Sequence, residues 1–250
     1  MEERREAIVE LINRKGSVTF AQLKAAFPNV SDMTLRTDLK ALDQSHRIVR
    51  VHGGARSVEL VVGTDDLLGR RVVRNPAAKE LIAQKAARLV RPDSSFFLDS
   101  GSTTTALAHL LPDERYLIFT NSLSCASELA RLERAQVSLP GGVLNRYSMS
   151  LCGSRSIDVL RQLSFDLCFL GVTNYHPDAG FSCGMEEEAR LKRAAMARAE
   201  RVIVLMDSSK VGFRRTFSIC GLDEIDLLIS DGELPPDLLD ACREHGVEVL

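Results

Sequence analysis

Basic and hydroxyl side chains between residues 31 and 52 stand at a spacing that suits contact with DNA. Ser31 precedes a run in which apolar residues recur every three or four positions, so its hydroxyl is expected to cap a helix. The opposite face of that helix presents Arg and Thr side chains, which bind phosphates and base edges in the major groove. The residues expected to contact DNA are Ser31, Met33, Thr34, Arg36, Thr37, Lys40, Arg50 and His52.

A second set of polar residues follows four short apolar runs that are typical of buried strands. The turn at residues 99–104 leads directly into a helical pattern. Backbone N–H groups at a helix start, together with nearby hydroxyls, bind anions such as phosphate. The turn lacks the Gly-Lys-Ser/Thr ending of a P-loop. Taken alone, it is explained equally well as ordinary helix capping.

Polar turns also begin at Thr120, Pro140 and Asp207, and in an open α/β sheet such turns lie at one edge. They offer hydroxyls, an amide, a carboxylate and an ammonium, which suits a phosphorylated polyol. Asp207 would bind sugar hydroxyls, while Lys210 and backbone amides hold the phosphate. Four such turns favour a ligand pocket over capping. The residues expected to bind this ligand are Asp99, Gly101, Ser102, Thr103, Thr104, Thr120, Asn121, Gly141, Gly142, Glu187, Lys192, Asp207 and Lys210.

Glu187 and Lys192 are the weaker candidates in that set. They belong to residues 186–193, where acids begin a helix and bases follow one turn later. This order satisfies the helix dipole and pairs charges without any function, so a solvated helix face is the default interpretation. The histidines stand apart, without metal-ligand spacing. No metal site, cofactor or catalytic residue is predicted.

The elements that position these residues predict an α/β protein in two domains. Residues 1–56 show three helical patterns and a hairpin, which is typical of a winged helix-turn-helix DNA-binding domain. Residues 57–75 are expected to be a connector with partial structure, including a possible strand at 57–63. Residues 76–250 alternate apolar runs with helical patterns, which predicts a mainly parallel sheet covered by helices. The expected strands are 96–98, 117–119, 137–139, 167–170, 202–206, 227–229 and 247–250.

Composition supports a two-domain protein with a basic N-terminal part. The 250 residues are 45% hydrophobic, enough for a sizeable core, and carry a net charge of -2. Residues 1–56 hold ten Lys and Arg against seven Asp and Glu, a charge of +3, and the remainder holds 22 against 27, a charge of -5. The six cysteines lack close spacing, and neither a signal peptide nor a membrane-length apolar run is evident. We therefore expect buried thiols in a cytoplasmic protein.

The ordered set of motifs resembles a DeoR-type bacterial transcriptional regulator over nearly the whole chain. The residues that carry the resemblance are Val30-Ser31, Thr34-Leu35-Arg36, Asp38-Leu39, Leu42, residues 52–55, Arg71, Lys79, residues 99–104, residues 120–122, Gly141-Gly142, Gly153, residues 187–193 and residues 207–210. Two positions depart from the family pattern. Thr37 stands where the family usually has a second arginine, and Thr173-Asn174 stands where it often has Asp-Gly.

The resemblance implies a winged-helix repressor of a sugar-catabolic operon. Its C-terminal domain would be similar in fold to ribose-5-phosphate isomerase and would bind a sugar phosphate as inducer, with Asp207 and Lys210 beside Ser102–Thr104. Such regulators usually form dimers or tetramers. The expected partners are therefore double-stranded operator DNA, a phosphorylated sugar and further copies of the chain, with no membrane.

Two alternatives compete with this hypothesis. A sugar-phosphate isomerase-like enzyme with an accessory DNA-binding head would use Asp207, Glu187 or another carboxylate as its base. An isomerase has no need of such a head, which argues against it. Nucleotide binding ranks lower, because no Gly-x-Gly-x-x-Gly follows a strand.

Overall fold

The computed structural model describes residues 2–15, 17–45, 47–51, 53–56 and 68–250. The chain divides into two compact units, Met1–Asp66 and Leu67–Leu250. The division falls inside the segment predicted to be a connector. Two sequence-based expectations, the DNA contact of His52 and the strand at 57–63, lie outside the described residues.

The first unit is a winged helix-turn-helix, as predicted. Its sheet is antiparallel in the order β1-β3-β2, because the strand that contains Val18 pairs with the hairpin. The hydrophobic core lies between the three helices and this sheet. The elements are α1 (Glu2–Lys15), β1 (Ser17–Thr19), α2 (Phe20–Ala26), α3 (Asp32–Gln44), β2 (Val49–Val51) and β3 (Gly54–Arg56).

Local capping fixes where α2 and α3 begin. The Thr19 hydroxyl accepts from the backbone N–H of Gln22, and the Gln22 side chain accepts in return from the Thr19 N–H. Ser31 caps α3 by accepting from the backbone N–H of Thr34 at 3.2 Å. Leu35, Leu39 and Leu42 then fall on the buried face of α3. Their burial, at roughly 1.5–3 kcal/mol each, holds the helix against the core.

The second unit contains a parallel sheet of seven strands, in the order β15-β14-β12-β9-β4-β5-β6. All seven strands expected from the apolar runs are present. Successive residues such as Phe96 and Phe97 pack into separate clusters, because the sheet is buried on both faces. The strands are β4 (Ser95–Leu98), β5 (Leu117–Thr120), β6 (Gln136–Ser138), β9 (Phe165–Gly171), β12 (Ala199–Leu205), β14 (Leu227–Ile229) and β15 (Glu248–Val249).

Helices and two small antiparallel sheets complete this unit. The small sheets pair β7 with β8 and place β11 between β10 and β13, and the sequence analysis did not predict them. No helix in the described ranges is both long and apolar enough to span a bilayer. The helices are α4 (Leu68–Val72), α5 (Pro76–Ala87), α6 (Ser102–Leu110), α7 (Leu123–Leu129), α8 (Ser154–Leu160), α9 (Glu186–Met196) and α10 (Pro236–Glu244); the small strands are β7 (Val143–Asn145), β8 (Ser150–Cys152), β10 (Asn174–His176), β11 (Gly180–Cys183) and β13 (Phe217–Cys220).

Candidate functional site

The exposed face of α3 brings most of the expected DNA-contact residues together. Met33, Arg36, Thr37 and Lys40 are all exposed, and with Arg50 of β2 they line one shallow depression of about 400 Å³. The three basic side chains of this surface suit contact with a nucleic-acid backbone and the base edges beside it.

Hydrogen bonds and a ring contact already occupy several of these side chains. The guanidinium of Arg36 lies over the ring of Phe20. The Thr37 hydroxyl donates to the backbone carbonyl of Met33 at 2.9 Å. Ser31 and Thr34 share a hydrogen bond of 2.8 Å between their hydroxyls while Ser31 caps the helix. The side chains of Ser31 and Thr34 are therefore used to start α3.

Asp38, on the opposite side of α3, ties this helix to α1. It is 2% exposed, and its two carboxylate oxygens accept from Nε of Arg4 at 2.6 Å and Nε of Arg5 at 2.9 Å. Burial raises the pKa of Asp38, but the two arginine hydrogen bonds outweigh it and leave the pKa lower than usual. The sequence analysis missed this contact, because its partners are more than 30 residues apart.

In the second unit, the four polar turns lie at one edge of the sheet. They follow β4, β5, β6 and β12, which are parallel strands whose carboxyl ends share that edge. Ligands of open α/β sheets bind at this edge. The expected ligand residues in these four turns are thus brought to the same edge of one sheet.

Asp99 and Lys192 form a buried ion pair at the centre of this edge. Lys192 Nζ donates to Asp99 Oδ2 and, at 2.9 Å, to the carbonyl of Gly171. Burial lowers the pKa of Lys192, yet the charges of Asp99 and Glu188 outweigh it and raise the pKa above its usual value. Asp99 Oδ1 is buried and has no hydrogen-bond partner among the described residues. Lys192 is therefore not on a solvated helix face.

The glutamate buried at the start of α9 is not the one expected from the sequence. Glu187 is half-buried and lies 3.7 Å from Arg190 Nη1, a surface pairing within the helix. Glu188 is 4% exposed and accepts from Asn145 Nδ2 at 2.8 Å. Glu188 and Lys192, one turn apart, are thus the buried pair of α9, and Glu188 was missed.

The hydroxyls at the start of α6 serve partly as internal contacts. Thr104 is fully buried and its hydroxyl donates to the Gly101 carbonyl at 3.0 Å. Thr103 is buried too, whereas Ser102 is partly exposed. No side chain of the described residues caps the start of α6, and the Thr104 hydroxyl is used in this internal bond to a carbonyl. The Ser102 hydroxyl and the backbone N–H groups are therefore the groups left for an anion.

The turns after β5 and β6 contribute in two different ways. Thr120 Oγ1 accepts from the Ser122 N–H at 3.1 Å, while the buried Asn121 Oδ1 has no partner within the described part of the chain. Gly141 is exposed. A Cβ on Gly142 would lie 2.3 Å from Ser156 Oγ, so only glycine fits there.

Asp207 stands at the end of β12 in a network of donors. It is 2% exposed and accepts from Ser209 Oγ and, at 3.2 Å, from Asn75 Nδ2. Lys210 Nζ lies 3.8 Å from Asp207 Oδ2 and donates to the carbonyl of Val172 at 2.8 Å. Burial raises the pKa of Asp207, but these neighbours outweigh it and lower the pKa.

Further cations from the chain before α5 and from α5 itself act on this network. Lys79 is 5% exposed and donates to the carbonyls of Arg71 and Arg74. Burial, followed by the charge of Lys210, lowers the pKa of Lys79 to about 8. Arg71 Nε and Nη2 are buried without a hydrogen-bond partner among the described residues. The charges of three cations, Lys210, Arg74 and Arg71, and of one carboxylate, Asp207, thus act on the Lys79 ammonium, a balance that suits a bound anion.

Comparison with known proteins decides the family. Residues 4–61 match the DeoR-like helix-turn-helix domain, and residues 74–232 match the DeoR C terminal sensor domain. The chain belongs to the DeoR family. As a DeoR-family protein it is a DNA-binding transcriptional regulator with a sensor domain, as the sequence analysis predicted.

Its relatives in the DeoR family match over nearly their full length. The HTH-type transcriptional regulator GlpR of Haloferax volcanii is 34% identical, over 99% of this chain and 96% of its own. The glycerol-3-phosphate regulon repressor of Escherichia coli K12 is 29% identical, over 99% of this chain and 97% of its own. Among solved structures, ribose 5-phosphate isomerase A of Methanocaldococcus jannaschii aligns with a TM-score of 0.41 and 16% identity, over 55% of each chain.

The second departure from the DeoR-family pattern, Thr173-Asn174, has a structural counterpart. Asn174 begins β10, is 8% exposed, and its Oδ1 accepts from Arg215 Nε at 3.0 Å. The chain thus has an amide paired with an arginine at this position.

In the described residues, no group of three His, Cys, Asp or Glu side chains is placed to hold a metal ion.

Proposed function

We propose that this protein is a repressor that leaves its operator when a phosphorylated sugar or polyol binds at the strand-end edge of the sensor domain. The observation that carries the proposal is the excess of positive charge where Lys79, Arg71 and Lys210 lie beside Asp207. The E. coli relative, named as a repressor of the glycerol-3-phosphate regulon, agrees with an effector of this chemistry.

The phosphate would bind on the cationic side of the edge. Arg71 offers two buried N–H groups without partners among the described residues, and Lys79 and Lys210 add two ammonium groups. Charge-assisted hydrogen bonds from arginine and lysine are the strongest that proteins make to phosphate. A phosphate there would supply the acceptors that the two Arg71 N–H groups lack among the described residues. The proposed phosphate ligands are Arg71, Lys79 and Lys210.

The polyol part would bind at the buried acceptors of the edge. Asp99 Oδ1 and Asn121 Oδ1 have no donor among the described residues, and a buried acceptor without a donor costs about 1–3 kcal/mol. Sugar hydroxyls are donors, so a small rearrangement that admits them would satisfy both atoms. We propose the same role for the partly exposed hydroxyl of Ser102 and for the Asp207 carboxylate.

The DNA would bind on the face of α3 that carries Met33, Arg36, Thr37 and Lys40, together with Arg50 of β2. Two or more copies of the chain would place their helix-turn-helix domains on operator half-sites. The effector would favour an arrangement of the copies in which the spacing of these domains no longer matches the half-sites. The effector must then bind one arrangement more tightly, by about 1–3 kcal/mol for a typical coupling.

We propose that the site binds without catalysis. The enzyme hypothesis needs a carboxylate that accepts a proton near neutral pH, and efficient bases have a pKa near the working pH. The pKa of Asp207 is lowered by its neighbours, and Asp99 is held in an ion pair with Lys192. Both carboxylates are therefore poorly placed to act as a base.

A thermal-shift screen tests the effector class. Glycerol 3-phosphate and a panel of pentose and hexose phosphates would be compared with the same compounds without phosphate, since a tight ligand raises the unfolding temperature. We expect a shift with at least one phosphorylated compound and none with its unphosphorylated partner. Equal shifts with both partners, or turnover of the bound compound, would contradict the proposal.

A further inference from the structure

Met33 is an apolar side chain placed where a polar one is usual. It is 81% exposed, the highest value among the large apolar side chains that the structure describes. Single exposed apolar residues are common on protein surfaces. Met33, however, lines the same depression as Arg36, Lys40 and Arg50, within the face that meets DNA. Its thioether is therefore the apolar part of a surface that is otherwise cationic.

Thr37 extends the apolar part by one helical turn. Residues four apart lie side by side on a helix, so Met33 and Thr37 are neighbours. The Thr37 hydroxyl proton is committed to the Met33 carbonyl at 2.9 Å. The hydroxyl is thus not available as a donor to a base, and the γ-methyl is the remaining contact group of an exposed side chain. We call Met33 and the Thr37 methyl group the apolar step of α3.

The major groove offers one group that fits an apolar step. Each base pair presents donors and acceptors there, and thymine alone adds a methyl group, at C5. Apolar side chains distinguish thymine from other bases by contact with this methyl. Phosphates and the remaining base edges are polar and would lose water against Met33 without compensation.

We propose that the apolar step determines operator specificity by contacting the 5-methyl group of thymine, next to the position that Arg36 contacts. The proposal rests on DNA binding by α3 and goes further by naming a base. A buried methyl group contributes enough free energy to change affinity about fourfold. Each half-site would contain one or two thymines of this kind.

The experiment begins with a duplex selected from a random DNA library by the full-length protein. The selected duplex is then synthesised with uracil in place of thymine at one position at a time, which removes only the methyl group. We expect about fourfold weaker binding at one or two positions in each half-site, and unchanged binding at the others. If uracil has no effect at any position, the proposal is wrong.

Two variants separate methyl contact from changes in DNA shape. Met33→Ala shortens the side chain, and Thr37→Ser removes the methyl while keeping the hydroxyl bond to the helix. Met33→Ala and Thr37→Ser should each reduce the thymine-to-uracil difference at the sensitive positions, and the double variant should bind the two duplexes equally. An unchanged thymine-to-uracil ratio in Met33→Ala would overturn the proposal, because the effect would then arise from groove shape.

Failure of this proposal differs from failure of the proposed function. If the selected duplex binds tightly but its affinity does not change with uracil, the proposal about the apolar step is wrong and the proposed repressor function still stands. If the selection yields no preferred sequence, both the thymine contact and the proposed operator-binding function are wrong. Unfolding temperatures of both variants should equal that of the wild type, because Met33 and Thr37 are exposed.

Discussion

The guanidinium carbon of Arg36 lies 4.3 Å from the centre of the Phe20 ring. The first residue of α2 therefore supports the side chain that projects from α3. A cation over an aromatic face is attracted to it by about 0.5–1 kcal/mol at an exposed site. The contact also restricts the rotamers of a long side chain, which lowers the entropy lost when that side chain binds.

Phe20→Leu is expected to weaken operator binding two- to fivefold. Leucine keeps the apolar packing against the core but removes the ring face that orients Arg36. Fluorescence anisotropy with the selected duplex measures the change, and Phe20→Tyr, which keeps a ring, should bind as the wild type does. Wild-type affinity in Phe20→Leu would show that the stack has no role in DNA binding.

Arg36→Ala is expected to abolish operator binding while the fold and the effector affinity remain unchanged, because the side chain is exposed and contacts the Phe20 ring at the protein surface. Any residual binding should show a salt slope lower by about one unit if Arg36 contacts a phosphate. Arg91→Ala, which removes an exposed charge from the sensor domain, is the control. The assignment fails if Arg36→Ala and Arg91→Ala bind equally well.

Asp38→Asn is expected to lower the free energy of opening α1 from α3 by about 1.5–3 kcal/mol, the range for hydrogen bonds to a charged group. Both arginines are about a quarter exposed, so the larger cost of breaking a fully buried pair does not apply. Hydrogen exchange of the α1 and α3 amides measures the opening of this unit separately from the sensor domain.

The ion pairs of Asp38 with Arg4 and Arg5 also make the packing of α1 on α3 sensitive to acid. The folded state lowers the pKa of Asp38 from its usual 3.8, so the unfolded chain takes up the proton more readily. The stability difference between the wild type and Asp38→Asn should be complete above about pH 3.8, the pKa in the unfolded chain, and should disappear as the pH falls through the lower pKa of the folded state. A constant difference down to pH 2 would contradict the ion pair.

The sequence predicted the elements well where the pattern is local. The seven strands of the parallel sheet and the capped start of α3 follow from apolar runs and from Ser31. The small sheets were missed because strands of three or four residues, such as β7 and β10, carry too few residues for a period to show. Their pairing also depends on partners distant in sequence, since β13 joins β11 more than 30 residues away.

The candidate site was predicted less completely, for a different physical reason. Which of three successive glutamates is buried depends on how α9 is rotated against the sheet, and the chain alone does not specify this angle. Lys79 was missed as a site residue although a signal existed. It lies three and four residues before the buried Ile82 and Ala83, on the apolar face of α5. A lysine on such a face must find partners.

Effector binding is expected to weaken as the pH rises through about 8. The pKa of Lys79 is about 8, so its ammonium becomes neutral there and no longer attracts an anion. Burial, followed by the charges of Lys210, Arg74 and Arg71, keeps the pKa of Lys79 low, and a bound phosphate would raise this pKa and cause proton uptake. Calorimetry in two buffers of different ionisation heat measures that uptake. Lys79→Arg stays charged, so its effector affinity should not fall over this pH range. An equal loss of affinity in the wild type and in Lys79→Arg would contradict this role of Lys79.

The central claim is that a bound phosphorylated compound at Asp207 and Lys210 releases the operator. The direct measurement is the anisotropy of the selected duplex bound to the full-length protein, during titration with the compound found by the thermal-shift screen. We predict release from the wild type, and retention of DNA by Lys210→Ala at the same concentrations with unchanged initial affinity. Release of Lys210→Ala at wild-type concentrations, or a wild-type complex that no phosphorylated compound dissociates, would contradict the account.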